Sequence, residues 1–189
     1  MALILGLDQA TQTGFALLDT NADLDKIIAG TIKCSGESYE DKAAFLGRSL
    51  VRLIKEHKPD FIAFEQPIRT QPVGRRVVKF MGETQEVEGA GSGLNAVISS
   101  NQLAGAVSAI IGAYGIPFIT IAPVTWRKAF LGFGTHKGWQ RKDWKKAARD
   151  RCNQLKIKVT NDDMADAVGI AFAASNTQVF KMLSMRAAA

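Results

Sequence analysis

The beginning of the chain contains the stretch ILGLDQATQTGFALLD, Ile4 to Asp19, in which an apolar run ends in a single acid, Asp8. Small polar residues follow, and a second apolar run begins at Gly14. Two apolar runs joined by a short polar turn predict neighbouring antiparallel strands. A carboxylate at the end of a buried strand is costly unless it has a partner. Asp8 is therefore a candidate metal ligand, and the alternative is that it braces the turn.

Length and composition indicate an ordinary globular protein. The 189 residues favour one domain with its own core, so we expect residues 1–189 to form a single domain. The net charge of +6 is compatible with a polyanionic partner but does not identify one. Cys34 and Cys152 lack metal-binding spacing and are expected to be buried thiols in a reducing cytoplasm. The N-terminus has neither the length nor the basic start of a signal peptide.

The order of apolar segments predicts an α/β protein. Strands separated by helices add in parallel to an initial antiparallel meander. The predicted strands are 2–7, 14–18, 26–33, 61–64 and 117–121, and the predicted helices are 41–57, 99–114, 125–131, 139–155 and 160–174.

Two further segments give expectations of their own. Residues 66–94 are predicted to be irregular, with a mobile loop at about 82–94, because acids and glycines are mixed there. The uncharged segment from Gly89 to Trp126 is interrupted at Gly115-Ile116-Pro117. Its apolar pieces are shorter than the roughly 20 residues of a membrane span, so we expect a buried helix, a buried strand and no membrane association.

Four acids occupy the ends of predicted elements. Asp8 ends the first strand and Glu65 ends the fourth, so both are expected at the strands' carboxyl edge, where open α/β sheets bind ligands. Asp163 and Asp166 lie three residues apart on one face of the last predicted helix, which Thr160 or Asn161 can cap. Taken singly, Glu65 could be a loop acid and Asp163 an ordinary helix start.

Carboxylates that are held close together repel one another unless protons or a cation neutralise them. Ligand sets made only of oxygen favour a hard ion such as Mg²⁺, for which Mn²⁺ can substitute. Two such ions about 4 Å apart can support phosphodiester cleavage. The sequence therefore predicts a metal-dependent nuclease with Asp8, Glu65, Asp163 and Asp166 as its metal-binding acids.

Basic residues are concentrated in the C-terminal half. Between Arg127 and Lys158 there are eleven Lys or Arg and only two Asp. A basic face on a packed helix favours contacts with nucleic-acid phosphates, the alternative being a solvated charged surface. The predicted nucleic-acid contacts include a second group after Glu65, and together they are Arg69, Arg75, Arg76, Lys79, Arg127, Lys128, Lys137, Lys142, Lys145, Lys146 and Arg149.

Several segments together resemble a known family. They are ILGLD, FIAFEQP, SNQLAGAVSAIIGAYG, PVTWRKAFLGFG and DMADAVGIAFAA. In this order and spacing they resemble the RuvC-type Holliday junction resolvases of the RNase H-like superfamily. The resemblance covers most of the chain, and its most telling parts are Glu65-Gln66 and the ending Asp163-x-x-Asp166.

The resemblance implies a five-stranded mixed sheet of order 3-2-1-4-5, flanked by helices. It also implies a cytoplasmic homodimer that uses two Mg²⁺ ions to nick four-way DNA junctions symmetrically, in DNA recombination and repair. By position, Asp8, Glu65, Asp163 and Asp166 would bind the metal. Among basic residues near the active site, Lys142 and Arg127 match best, and Lys142 would be catalytic.

The sequence departs from the family pattern in ways that suggest a divergent, phage-type branch. Gln9-Ala10-Thr11 replaces Pro-Gly-Ser after the first acid, Ile68 stands where an aromatic wedge is expected, and the loop after Glu65 is longer. A nuclease for flaps, other branched DNA or RNA, and a non-catalytic DNA-binding protein, remain alternatives. The N-terminal stretch also resembles the phosphate-binding hairpin of actin-like ATPases and sugar kinases. Those need two such domains and an adenosine-binding glycine motif, which this chain lacks.

Overall fold

The computed structural model describes residues 2–69, 74–80, 83–89 and 93–187; for 74–80, 83–89, 93 and 186–187 it describes the backbone alone. The strands are β1 (Leu3–Asp8), β2 (Gln12–Asp19), β3 (Ile28–Lys33), β4 (Phe61–Glu65), β5 (Gly74–Phe80), β6 (Glu83–Gly89) and β7 (Phe118–Ile121). The helices are α1 (Tyr39–His57), α2 (Gly93–Tyr114), α3 (Pro123–Leu131), α4 (Arg141–Gln154), α5 (Asp162–Ser175) and α6 (Gln178–Ala187).

The main sheet has five strands in the order β3-β2-β1-β4-β7. β1, β2 and β3 are antiparallel neighbours, whereas β4 pairs in parallel with both β1 and β7. This is the mixed sheet of order 3-2-1-4-5 that was predicted, with β7 as the fifth strand. The register pairs Leu7 with Phe64, which brings the next residues of the two strands side by side at the carboxyl edge.

Helices cover both faces of this sheet, so the chain forms three layers. On one face, Ile4 and Phe61 belong to a core with Trp126 of α3 and the apolar residues of α5. On the other face, Leu5 and Ile62 pack with α1 and α2. This alternation explains why β1 and β4 read as continuous apolar runs: both of their faces are buried. Both cysteines are free and buried, as expected.

Two glycines let α5 approach the sheet closely. A Cβ on Gly6 would lie 2.6 Å from the Ala167 carbonyl oxygen, and a Cβ on Gly14 would overlap the Asp163 carbonyl. Any side chain at these positions would push the helix away from β1 and β2. The glycines of the opening stretch therefore bring the acidic start of α5 next to Asp8.

The segment between Glu65 and α2 differs from the prediction. β5 and β6 form an antiparallel two-stranded sheet that pairs Gly74 with Gly89 and Phe80 with Glu83. The irregular backbone predicted for these residues is therefore wrong, because the acids and glycines that indicated a loop take part in cross-strand pairing, as in the pairing of Arg75 with Glu88. The mobility predicted for residues 82–94 stays a prediction, and Gly82 and 90–92 lie outside the described residues.

Helix α2 also differs from expectation. It is continuous over 22 residues, and by length and composition the part from Leu94 to Tyr114 could cross a membrane. Leu103, Val107 and Ile111 of α2 are buried in the core against α1. The opposite face is exposed, so the helix that was predicted to be buried is buried on one face only. A core helix of a soluble protein meets the same length and composition criteria.

Candidate active site

Asp8 and Glu65 lie at the carboxyl edge of the sheet, where the parallel register of β1 and β4 brings them together. They line one cavity of about 380 Å³ with two acids of α5, Asp163 and Asp166. The sequence predicted this meeting of the four acids at one edge. The cavity is also lined by Gln9, Gln66, Arg127, Arg141, Trp144 and Lys145.

Helix α5 holds its two acids at a capped N-terminus. The Asn161 side chain accepts a hydrogen bond of 2.9 Å from the Met164 N–H, and its amide donates to Thr31 on β3. The cap predicted at Thr160 or Asn161 is therefore formed by Asn161. Because ten residues of α5 are buried, Asp166 is carried into the protein and is only 9% exposed.

Burial and mutual repulsion raise the pKa of the central acids. Burial raises the pKa of Asp8 well above its ordinary value, and the charges of Glu65 and Asp166 raise it further. Burial also raises the pKa of Asp166 to about 7, with Glu65 adding to the rise and Lys145 opposing it. These are the signs of carboxylates that lack sufficient neutralising charge.

Glu65 is positioned by two contacts with neighbouring elements. The Trp126 indole N–H donates a 2.9 Å hydrogen bond to Oε2 of Glu65, and the Gln9 amide donates to its main-chain carbonyl at 2.5 Å. Burial raises the pKa of the Glu65 carboxyl, while the Trp126 hydrogen bond and the charges of Arg127 and Arg141 oppose the rise. Of these neighbours of Glu65, only Arg127 was predicted to lie near the site. Nothing in the sequence indicates that Trp126 or Gln9 would form a hydrogen bond with Glu65.

Lys145 of α4 lies close to both cavity acids of α5. Its Nζ donates to Oδ1 of Asp163 at 3.0 Å and lies 3.7 Å from Oδ2 of Asp166. Burial lowers the pKa of Lys145, but the hydrogen bond to Asp163 and the surrounding acids outweigh it, and the net direction is upward. The Gln12 amide donates to the other oxygen of Asp163 at 2.7 Å.

The structure divides the predicted basic face of α4. Lys145, predicted as a DNA contact, lies within the acidic cavity, whereas Lys142, predicted as catalytic, is exposed and is not among the cavity's described lining residues. Lys146 and Arg149 form ion pairs with Asp150 and Asp162 at the surface. The roles predicted for these residues stay predictions.

The remaining predicted DNA contacts occupy three places. Arg127 lines the cavity, and its guanidinium lies over the rings of Trp126 and Trp144. Lys128, Lys137 and Arg69 are exposed. The backbone of Arg75, Arg76 and Lys79 belongs to β5, and their side chains lie outside the described part of the structure. Arg141 lines the cavity although it was not singled out in the sequence.

The donor set of the cavity suits a hard divalent cation. Asp8, Glu65, Asp163 and Asp166 offer only carboxylate oxygens, the ligands that Mg²⁺ and Mn²⁺ prefer. Wherever side chains are described, no group of three or more Asp, Glu, His or Cys residues lies close enough together to hold a metal ion as it stands. Lys145 supplies part of the missing positive charge instead. The residues therefore fit a cation that would draw the acids together and displace Lys145.

Comparisons with known proteins place this geometry in context. No family model and no curated protein sequence matches the chain. Among solved structures, it is similar to Thermus thermophilus RuvC in complex with a Holliday junction substrate. The TM-score is 0.66 and the identity 15%, over 98% of this chain and 97% of that one.

Two further solved structures show the same similarity. The yeast mitochondrial Holliday junction resolvase Ydc2 matches with a TM-score of 0.56 and 14% identity, over 97% of this chain and 83% of that one. The fowlpox virus resolvase, solved with Holliday junction DNA, matches with a TM-score of 0.51 and 14% identity, over 96% and 98%. The resemblance predicted from the sequence is thereby confirmed at the level of the fold, and the chain has the RNase H-like fold of these RuvC-type resolvases.

Proposed function

We propose that this protein is a Mg²⁺-dependent endonuclease that cuts branched DNA, with the four-way junction as its substrate. The observation that carries the proposal is the meeting of Asp8, Glu65, Asp163 and Asp166 in one cavity beside Arg127, Arg141 and Lys145. Acids alone would repel a phosphodiester, and cations alone would bind it without cutting. Their combination is what metal-assisted phosphoryl chemistry requires.

The four acids would hold the metal ions, and bound Mg²⁺ or Mn²⁺ would supply charge neutralisation and an activated water. The chain's own residues bind and orient. The guanidinium groups of Arg127 and Arg141 face the acids and can hold a phosphate oxygen. Trp126 keeps the Glu65 carboxylate turned into the cavity through its indole hydrogen bond. Lys145, once released from Asp163, can stabilise the charge that builds on the phosphate during cleavage.

The surface around the cavity supports a nucleic-acid substrate. Lys128 on α3, Lys137 on the loop between α3 and α4, and Lys142 on α4 are all exposed. Exposed cations in such a position favour phosphate-backbone contacts, which give affinity without sequence preference. We therefore expect binding to weaken steeply with salt for every DNA shape, while discrimination among shapes comes from the cavity and its rim.

Paired nicks in a four-way junction require two active sites, which a homodimer would supply. The exposed, uncharged face of α2 supports this assembly. A groove between α1 and α2 is lined mostly by small apolar residues, among them Ala43, Gly47, Ala106 and Ala109, with Arg48 and Arg52 of α1 also in its lining. Small side chains permit close approach of a second helix, and burial of this face would remove apolar surface from water. We propose this face as the dimer contact.

A cleavage assay on a four-way junction, beside matched duplex and flap DNA and a branched RNA, tests the proposal. With Mg²⁺ we expect paired, symmetric nicks in the junction, and with EDTA none. Asp8→Asn should abolish cutting while leaving junction binding within about threefold, because a neutral amide is a poor metal ligand but keeps the shape of the site. Preferential cutting of flaps or RNA would assign a related nuclease, and Mg²⁺-independent binding without cutting would assign a DNA-binding protein.

A further inference from the structure

Four aromatic rings form a cluster beside the cavity, on the loop between α3 and α4 and the first turn of α4. The aromatic cluster consists of Phe133, His136, Trp139 and Trp144. Ring centroids of Trp139 lie 4.6 Å from His136, 4.8 Å from Trp144 and 5.3 Å from Phe133. Such spacings are those of stacked and edge-to-face aromatic pairs.

Two glycines give the loop between α3 and α4 the backbone turns that bring these rings together. Gly132 follows the last residue of α3 with a left-handed φ of 91°, and Gly138 repeats the left-handed conformation with a φ of 85°. The chain therefore turns back and lays Trp139 against Trp144 of α4. Neither turn is open to a residue with a side chain without strain.

The aromatic cluster is continuous with the catalytic cavity. Trp144 lines the cavity together with the four acids, and the Arg127 guanidinium lies 4.8 Å from the centre of its ring. The buried Nε of Arg127 finds no hydrogen-bond acceptor among the described residues. An acceptor arriving from solvent, such as a phosphate oxygen, would satisfy it. The rings of the aromatic cluster therefore extend from the Arg127 guanidinium at the cavity to the protein surface.

Packing alone does not account for this cluster. The core aromatics of the adjoining helix, Trp126 and Phe130, are 1% and 2% exposed. Phe133 is 37% exposed, His136 is exposed, and Trp139 is only partly buried. If these rings only packed into the hydrophobic core, we would expect them to be as fully buried as Trp126. Open faces on stacked rings can accept another flat π-system.

The charges around the aromatic cluster indicate what would cover it. Lys137 lies within the loop, and Arg141 and Lys142 begin α4 directly after it. The carboxyl oxygen Oδ2 of Asp143, the acid in this stretch, accepts the main-chain N–H of Gln140 in a capping box. Flat rings bordered by cations match a nucleobase carried on a phosphate backbone.

We propose that the aromatic cluster is a stacking site for an unpaired nucleobase next to the phosphodiester that is cut, and that it selects DNA in which a base is free to leave its helix. This inference rests on the nuclease function proposed above. In intact duplex every base is already stacked, so the site would gain nothing from it. At a branch point or in a single strand, a base can insert against Trp139 at small cost.

The test measures stacking separately from cleavage. Three probes carry 2-aminopurine: a single-stranded oligonucleotide, a four-way junction labelled at the branch point, and a duplex of equal length. Affinity by fluorescence anisotropy and 2-aminopurine quenching are followed in Mg²⁺ in an Asp8→Asn background, so that the DNA stays uncut. Trp139→Ala should weaken binding of the single strand and the junction roughly tenfold and remove the quenching, because one base–aromatic stack is lost. Duplex affinity should change less than about twofold.

Matched variants separate stacking from folding. Trp139→Phe keeps a ring and should retain both readouts, and His136→Ala removes an exposed ring and should weaken quenching without affecting the core. Tyr39→Ala removes an aromatic side chain at the start of α1, outside the lining of the cavity and of the groove between α1 and α2, and should change nothing. Unchanged quenching in Trp139→Ala, or equal weakening for all three probes, would overturn the inference. If Asp8-intact protein cuts no DNA, the proposed nuclease function fails, while the quenching still decides the stacking site.

Discussion

The indole Nε1 of Trp126 donates a 2.9 Å hydrogen bond to Oε2 of Glu65 and so ties the last residue of β4 to helix α3. Trp126 is 1% exposed and packs against Gly169 of α5, where a Cβ would lie 2.7 Å from its ring. Because the indole of Trp126 is enclosed on all sides and lies against Gly169, its position is fixed by packing. Since its position is fixed by two helices, Trp126 fixes in turn the direction of a carboxylate that could bind metal.

Replacing Trp126 by Phe should impair catalysis beyond what its effect on folding explains. Phenylalanine keeps a ring at this position but is smaller than the indole, and the hydrogen bond to the Glu65 carboxylate is lost. That bond opposes the rise of the Glu65 pKa, so its loss should move the pKa further upward. We expect roughly tenfold weaker activity at pH 7, a higher Mg²⁺ requirement, and an acidic limb of the pH–rate profile shifted to higher pH.

The control for this variant is Phe130→Leu, which perturbs the same helix and core without touching Glu65. Thermal unfolding and the Mg²⁺ dependence of junction cleavage are measured for both proteins. If Trp126 had only a structural role, Trp126→Phe and Phe130→Leu would both lower the thermal unfolding midpoint, and neither would change the Mg²⁺ concentration needed for cleavage.

Lys145 should matter for the folded state without metal. Lys145→Met removes the cation that neutralises Asp163 and Asp166, so at pH 8 in EDTA the variant should lose roughly 1–3 kcal/mol of unfolding free energy. Mg²⁺ should restore more stability to this variant than to the original protein. Lys142→Met removes an exposed cation from the same helix and should stay within about 0.5 kcal/mol. Urea unfolding with and without Mg²⁺ checks this, and equal losses in the two variants would contradict it.

Stability without metal should fall as pH rises, because the pKa of Asp166 is raised in the folded state. The pKa is about 7 folded against 3.8 for a free side chain. Between these two pKa values the folded state holds a proton that the unfolded state releases. The stability linked to this proton is fully present below about pH 4 and is lost as the pH rises through 7. Asp166→Asn should be more stable than the original protein at pH 8 in EDTA, with the difference vanishing near pH 4.

Thermal unfolding from pH 4 to pH 8 in EDTA measures that difference. Asp60→Asn is unsuitable as a control, because Asp60 accepts a main-chain hydrogen bond from Leu3. Asp25→Asn is the better control, since this acid lies at the surface beside Lys26 and has no buried partner among the described residues. A stability difference between Asp166→Asn and the original protein that stays constant with pH would show that Asp166 is ionised throughout.

Much of this site could be read from the sequence because it depends on strand ends and helix starts. Asp8, Glu65 and Asp163 stand where apolar periodicity changes, and such boundaries are visible in sequence. The partners of these acids are invisible there, because they depend on which side chain fills the remaining space. Lys145 and Lys142 lie three residues apart on α4, and only packing against α5 decides which of them enters the cavity.

The hairpin of β5 and β6 and the half-exposed α2 show the opposite case. Local composition indicated a loop in the hairpin and a buried helix in α2, but the first is a regular ladder and the second is buried on one face only. In the hairpin, cross-strand register pairs Arg75 with Glu88, so residues that look like loop composition singly belong to a regular ladder. In α2, apolarity did not mean burial within one chain, because a second surface can cover the exposed face.

A charge on the outer face of α2 should test that last point. Ala109 is exposed and lines the groove between α1 and α2. Ala109→Glu should leave the monomer folded, since a single exposed substitution on a helix usually changes stability by less than about 0.5 kcal/mol. In a dimer formed through this face, the larger side chain would prevent close approach of the two helices, and association should weaken by about tenfold or more.

Sedimentation velocity gives the mass of each variant, and a junction in a supercoiled cruciform plasmid distinguishes paired from single nicks. We expect the original protein to be a dimer that linearises the plasmid. Ala109→Glu should be a monomer that produces mainly nicked circles. Glu56→Gln, on the exposed end of α1 outside the groove, serves as the matched charge control and should behave as the original does. A dimer of unchanged mass and unchanged affinity in Ala109→Glu would place the subunit contact elsewhere, because a contact made of small residues could not accommodate the larger side chain without loss of affinity.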